Sequence, residues 1–339
     1  MFEHTFIGLD VHAVNVVGHA LNPVTGEISH HTMAADPALV LEWVRRFEPP
    51  IKVVYESGPT GFVLARYLRA AGINCVVAAS SKLLRAPGDR VKTDRRDARV
   101  LAEMLAVGSV TEVRIPDPDE EALRDLSRLR AGAAKDLAHA RQHVNAVLLR
   151  HGLRYPKDSR WTQEHRLWLH RQHFDEPALQ FTYEADVEQA ELLAGHLKRI
   201  DQQVATTAAA CPYAAVINAL MCLRGIQLTT AFGLAVEIGD WTRFTGSYLG
   251  LVPSENSSGQ SRHLGPITKA GNTYARKLLI EAAWQHRRPY SRPGERLLRQ
   301  LDIVAQATRS RGSTSFPRDA AFARRSTSWV ATVGVGRTC

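Results

Sequence analysis

The sequence predicts an α/β domain first, then two long helices, then a compact domain that is mostly helical. Three observations carry that prediction. Residues 5–105 alternate short strand-like runs with short helical ones. Residues 119–151 and 180–207 each hold a helical apolar period over many turns. Residues 216–284 return to short segments punctuated by glycine. The expected divisions are 1–115, 116–210, 211–300 and an irregular tail, 301–339.

In the first domain, Phe6 to Val11 reads as a strand and Val14 to Leu21 as a second. A turn over Asn22-Pro23-Val24-Thr25-Gly26 sends Ile28 to Met33 back as a third. Leu41, Val44 and Phe47 give Pro37 to Phe47 a helical spacing. Lys52 to Glu56 is a strand stopped by Ser57-Gly58-Pro59, Phe62 to Ala71 a helix closed by Gly72, and Asn74 to Ala79 a strand. Thr93 to Val107 is a helix, with Thr93 or Asp94 near its N-cap. Three strands joined by tight turns, followed by helix-linked strands, make a mixed sheet with helices on its faces. A dinucleotide-binding α/β domain lacks support, because no G-x-G-x-x-G or Walker sequence follows a strand.

The first long helix carries a stripe of Leu126, Leu129, Ala133, Leu137, Ala140, Val144 and Val147. Arg124, Arg128, Lys135 and Arg141 lie largely off it, either as a solvated face or as a row for phosphates. In the second, Val187, Ala190, Ala194, Leu197, Ile200 and Val204 approach a heptad seam, which suits pairing with the first helix or with a second subunit. Between them, residues 153–175 are rich in Arg, His and Trp. Leu223-Arg224-Gly225-Ile226 followed by a helix over Thr229 to Ile238 resembles half of a helix-hairpin-helix, which offers backbone N–H groups to phosphate. Ser254 to Gly259 reads as a loop, and Tyr274 to His286 as the last helix.

Lys and Arg number 43 against 34 Asp and Glu, a net charge of +9 that suits a polyanionic partner. No apolar run approaches the roughly 20 residues that span a bilayer, and the N-terminus has no signal-peptide pattern, so a cytoplasmic protein without a membrane partner is expected. The four cysteines fit neither a zinc pattern nor a disulfide framework.

Asp10 stands in an apolar strand, where a carboxylate is costly unless it is paired or meets a cation. Glu56 repeats the situation at the end of Val53-Val54-Tyr55. Asp94 and Asp97, three apart at a helix start, share a face. Singly, each could end a strand, cap a turn or pair with Arg95 and Arg96. Gathered by the fold they make an all-oxygen nest suited to magnesium or manganese. Two such ions about 4 Å apart can drive phosphoryl transfer.

Gly8-Leu9-Asp10-Val11-His12, Tyr55-Glu56-Ser57-Gly58-Pro59-Thr60-Gly61 and Lys92-Thr93-Asp94-Arg95-Arg96-Asp97-Ala98 together resemble one family. It is the DEDD transposases of bacterial insertion sequences, the "IS one-ten" family. A second block, Gly250 to Gly259 through Ile267-Thr268-Lys269-Ala270-Gly271-Asn272, is similar to that family's C-terminal transposase domain. The resemblance spans roughly residues 5 to 290. It implies a ribonuclease-H-like (RuvC-like) N-terminal domain, with Asp10, Glu56, Asp94 and Asp97 as the metal-binding acids. It puts the nucleophilic serine on Ser258, with Ser254, Ser257 and Ser261 close by. Attack by serine would leave a serine–DNA phosphodiester and a free 3′ hydroxyl. The resemblance also implies DNA partners (element junction and target), a structured guide RNA and a homo-oligomer. Arg262, Lys269 and Arg276 join the four basic residues of the first long helix as expected nucleic-acid contacts.

Two departures stand out. The chain is shorter than the family pattern between Arg243-Phe244 and Tyr248-Leu249, and the family's helical ending is not visible beyond about residue 305. Alternatives to the transposase are therefore a RuvC-like nuclease that hydrolyses junctions with water, and an inactive nucleic-acid-binding remnant.

Overall fold

The computed structural model describes residues 5–80, 83, 93–241, 248–258 and 261–285. The shortened segment near Phe244 and the tail at 301–339 lie outside the described residues. Contacts divide the chain into two compact units, Met1–Pro118 and Asp119–Cys339.

The first unit is a six-stranded mixed sheet. Its strands are β1 (Thr5–Val11), β2 (Asn15–Leu21), β3 (Ile28–Ala34), β4 (Ile51–Glu56), β5 (Asn74–Ala78) and β6 (Glu112–Val113), in the order β3-β2-β1-β4-β5-β6. β1, β2 and β3 are antiparallel neighbours. β1, β4 and β5 run parallel, and β6 returns antiparallel. The helices are α1 (Pro37–Val44), α2 (Val63–Ala70) and α3 (Asp94–Ala106). This mixed sheet with helices fits a ribonuclease-H-like domain.

Strand alternation assigns the two faces. Ile7, Leu9, Val53, Tyr55, Cys75 and Val77 pack with Trp43 and Val44 of α1 and Leu64 and Leu68 of α2. Phe6, Val54, Val76 and Ala78 point to the other face and pack on Leu101 and Leu105 of α3. Gly8 shares that second face. A Cβ there would stand 2.0 Å from the Ala98 carbonyl oxygen and 2.6 Å from the Ala102 nitrogen. Only glycine lets α3 lie this close to β1. β6, too short for any pattern, is not foreseen in the sequence.

The second unit contains α4 (Pro118–Arg150), α5 (Gln163–Leu169), α6 (Pro177–Ala210), α7 (Ala214–Met221), α8 (Leu228–Ile238), β7 (Pro253–Glu255), β8 (Leu264–Ile267) and α9 (Thr273–Trp284). α4 and α6 pair with each other within the chain. Val144 and Val147 of α4 share a core with Tyr183, Val187 and Ala190 of α6 and Leu169 of α5. Toward the other end, Ala133 of α4 and Ile200, Val204 and Ala208 of α6 join α7, α8 and α9 in a second core. That core runs across the expected division at 210/211. Leu129, expected in the α4 stripe, is 53% exposed instead. The stretch 153–175 contains α5, and the expected loop at 254–259 enters a β-hairpin. Among the described residues, no single helix is long and apolar enough to cross a membrane.

Candidate functional site

Leu9 of β1 pairs with Tyr55 of the parallel β4, so the next residues, Asp10 and Glu56, stand level on neighbouring strands. Strands lie about 4.8 Å apart, and alternation turns both side chains to the face α3 covers. α3 runs antiparallel to β1: Leu101 and Leu105 lie over Phe6, and Ala98 and Ala102 over Gly8. Its first turn, with Asp94 and Asp97, therefore reaches the end of β1 where Asp10 sits. Thr93 is the N-cap residue, and its carbonyl accepts from the N–H groups of Arg96 and Asp97. The positive end of the helix dipole favours acids in this turn.

The tightest group among the described residues is Asp10, His12 and Asp94, whose ligand atoms lie within 4.8 Å of one another. His12 Nε2 is 3.1 Å from Asp10 Oδ2 and 3.7 Å from Asp94 Oδ1. Burial raises the Asp10 carboxyl above its ordinary range, His12 pulls it down, and the nearby charges of Asp94 and Asp97 raise it further. Asp97 thus lies within electrostatic reach of Asp10 but outside the tight group. Glu56 is also outside it, half-buried at the end of β4. Oxygen donors of this kind suit a hard divalent ion. His12 is not among the acids that the sequence pattern singles out. Its spacing of two from Asp10 in extended chain was the available signal, since residues i and i+2 share a side.

The second unit holds the serine. β7 and β8 pair antiparallel, and Ser258 and Ser261 exchange backbone hydrogen bonds of 3.1 Å beyond them. Ser254 Oγ donates to the Pro266 carbonyl at 3.0 Å. Ser257 Oγ donates to Glu255 Oε1 at 2.9 Å. Ser261 Oγ lies 2.8 Å from His263 Nε2. Ser258 is exposed, and its hydroxyl has no side-chain partner among the described residues. Gly259, which follows it, lies outside them.

The hairpin's root is closely packed. Gly250 and Gly271 have φ of +60° and +73°. A Cβ on Gly271 would meet the Tyr248 carbonyl oxygen at 2.0 Å, and one on Gly250 would meet the Ala270 nitrogen at 2.3 Å. Neither position accepts another residue without moving backbone.

The expected nucleic-acid contacts separate into two kinds. Arg276 is buried and donates from Nη1 to the carbonyls of Leu249 and Ala270, both at 2.8 Å. Arg124 donates to the Val236 carbonyl and to Glu120, both at 2.8 Å. These two brace the unit from within. Arg128 forks onto the buried Glu237 at 2.7 and 3.0 Å, and this hydrogen bonding raises the pKa of its guanidinium. Glu237 also accepts from Asn272, the N-cap of α9. Arg141 lies over the Trp161 ring, 4.8 Å from its centroid. Lys135 and Lys269 are exposed, and Arg262 is exposed but paired with Glu255 at 3.0 Å. The helix-hairpin-helix resemblance has its turn between α7 and α8. Gly225 there packs against α9, where a Cβ would sit 2.6 Å from the Ala282 carbonyl oxygen.

Comparisons with known proteins agree at both ends of the chain. A DEDD family model described as "Transposase" matches residues 7–152. One described as "Transposase IS116/IS110/IS902 family" matches residues 217–296. The protein y4qE of Sinorhizobium fredii, named as a transposase, is 40% identical over 319 residues, covering 91% of this chain and 78% of the relative. The transposase for insertion sequence element IS1533 of Leptospira borgpetersenii is 29% identical over 301 residues, covering 85% and 87%. The transposase for insertion sequence element IS1328 of Yersinia enterocolitica is 26% identical over 255 residues, covering 69% and 70%.

Proposed function

Since the chain belongs to the IS116/IS110/IS902 family of transposases, we propose that it cuts and rejoins DNA with two sets of residues: Asp10, Glu56, Asp94 and Asp97 hold a divalent ion, magnesium or manganese, and Ser258 is the nucleophile. The observation that carries the reading is the meeting of Asp10 with the first turn of α3 on one face of the sheet. When bound, a divalent ion polarises a phosphate and stabilises the oxygen that leaves it.

The chain's own residues supply the rest. Ser258 Oγ attacks phosphorus, so a P–Oγ bond forms as the P–O3′ bond breaks. The serine proton passes to solvent, and the departing 3′ oxygen takes one up. The product is a serine–DNA phosphodiester with a free 3′ hydroxyl. A 3′ hydroxyl from another strand reverses the step and frees the serine. Bonds made and broken are alike, so resealing needs no nucleotide cofactor. Support for Ser258 over its neighbours comes from their engagement: Ser254, Ser257 and Ser261 each have an internal partner.

The same reading includes a structured guide RNA and a homo-oligomer. The net charge of +9 and the exposed Lys135 and Lys269 support a polyanionic partner. A strictly monomeric mass in the presence of the RNA would count against assembly.

The test is a mixture of purified protein, magnesium or manganese, labelled DNA carrying the element's junction and the element's non-coding RNA. A denaturant-resistant protein–DNA adduct is expected. It should be absent with Ser258→Ala and with Asp10→Asn. An adduct that persists with Ser258→Ala overturns the serine assignment. A hydrolytic nuclease is the second reading, favoured by the gathering of Asp10, His12 and Asp94 inside the first unit alone. Nicks without adduct, lost with Asp10→Asn but kept with Ser258→Ala, would establish it.

A further inference from the structure

We propose that His12 is a further ligand of the divalent ion and shifts the site's preference from magnesium toward manganese. This rests on the reading that the N-terminal carboxylates hold a metal. The resemblance and the carboxylate pattern single out only acids; His12 enters through geometry.

His12 Nε2 stands 3.1 Å from Asp10 Oδ2 and 3.7 Å from Asp94 Oδ1, and all three ligand atoms lie within 4.8 Å of one another. Donors that share an ion at about 2.1 Å stand about 3.0 Å apart at right angles and about 4.2 Å apart when opposite. The two separations from the His12 ring fall between those limits. The His12 backbone is fixed where β1 turns into β2, its N–H donating to the Asn15 carbonyl at 2.9 Å. The His12 side chain is 44% exposed, which leaves room on the outer side for waters or a phosphate oxygen.

The donor set determines the preference. Magnesium favours oxygen donors and gives up water reluctantly, whereas imidazole suits later divalent ions. A site of carboxylates alone would discriminate weakly between magnesium and manganese. One added nitrogen favours manganese.

A competing account has a cationic His12 bridging Asp10 and Asp94 as a stand-in for the ion. The two accounts differ in what loss of the ring does. As a ligand, its removal weakens manganese binding; as a stand-in, its removal leaves binding unchanged or tightens it.

The experiment titrates the full-length protein with manganese alone, followed by electron paramagnetic resonance and by calorimetry, with magnesium as competitor. His12→Ala should weaken manganese binding about tenfold and magnesium binding much less. Pulsed spectra of the parent should show nitrogen coupled to manganese, and His12→Ala should lose it. His12→Gln, which keeps bulk, should behave like His12→Ala. Absence of nitrogen coupling in the parent, or unchanged manganese affinity in both variants, overturns the inference. Asp10→Asn separates the two levels. If it abolishes binding while the His12 variants change nothing, the carboxylate reading stands and only His12 falls. If Asp10→Asn leaves binding intact, the carboxylate reading fails as well.

Discussion

Asp10 and Glu56 leave the ends of central strands whose remaining residues are largely buried, whereas every residue of β7 and most of β8 are exposed around Ser258. The carboxylates are placed by core packing: β1 carries Gly8, α3 lies close over it, and the helix start follows. Ser258 lies just beyond the short strand pair β7 and β8, whose root is locked by Gly250, Gly271 and Arg276. A metal site needs several ligands fixed at once, and a sheet–helix interface supplies that. On the proposed reading, Ser258 has to reach a phosphate and later release it, which suits an exposed residue above a rigid base.

Substitutions can break or sharpen this contrast. The largest effect is expected at Gly8. Gly8→Val forces a side chain into the α3 backbone and should cost about 3 kcal/mol of stability, read as a lower denaturant midpoint. An unchanged midpoint would mean that α3 is not held by this contact. In the second unit, Arg128→Met leaves Glu237 fully buried with Asn272 as its remaining partner in the network. Breaking a buried pair costs about 3–5 kcal/mol, but the Arg128 side chain is 56% exposed, so about 2 kcal/mol is expected. Glu237→Gln, which removes the charge and keeps hydrogen bonding, should cost less than Arg128→Met. The reverse order would show that burial of the Glu237 charge is not what the pair offsets.

Smaller effects follow at the chemical residues themselves. Burial and acidic neighbours hold the Asp10 carboxyl above its ordinary 3.8. A carboxyl raised in the fold favours folding while protonated, and that contribution fades as pH rises through its folded pKa. Metal-free Asp10→Asn should therefore melt slightly higher than the parent at neutral pH, with the gap closing below the ordinary carboxylate range. A variant less stable than the parent at neutral pH would show that the acid site is not under electrostatic tension. Ser258→Ala should change stability by no more than about 0.5 kcal/mol, because the hydroxyl is exposed and unpaired among the described residues. A larger loss would give the hairpin tip a packing role.

Periodicity revealed most of the first unit and both long helices. The strands at Phe6, Val14, Ile28, Lys52 and Asn74 and the helix at Thr93 all form within a residue or two of their expected bounds. What stayed hidden was short or tertiary. β6 has two residues, and β7 and β8 are brief and exposed, so none has an alternation to read. α5 and α7 are seven and eight residues long. Position off an apolar stripe showed that Arg124 and Arg128 leave the α4 core face, but not that Val236 and Glu237 of α8 would meet them. Arg276, expected as a nucleic-acid contact, is buried, since only the fold brings the Leu249 and Ala270 carbonyls to it. His12 lay in plain view two residues after Asp10. The role proposed for it depends on Asp94, which sequence distance conceals.

Asp10 and Asp94 belong to widely separated stretches of chain and come together only when α3 has seated over Gly8. Contacts across such long loops carry a closure entropy and tend to form late in folding. A cation that recognises only the seated arrangement adds stability by mass action, about 2.7 kcal/mol at a hundred times its dissociation constant. For a newly made chain the ion would then act as a latch on assembly: molecules with α3 unseated would not retain it, and cutting power would be confined to those that had finished folding.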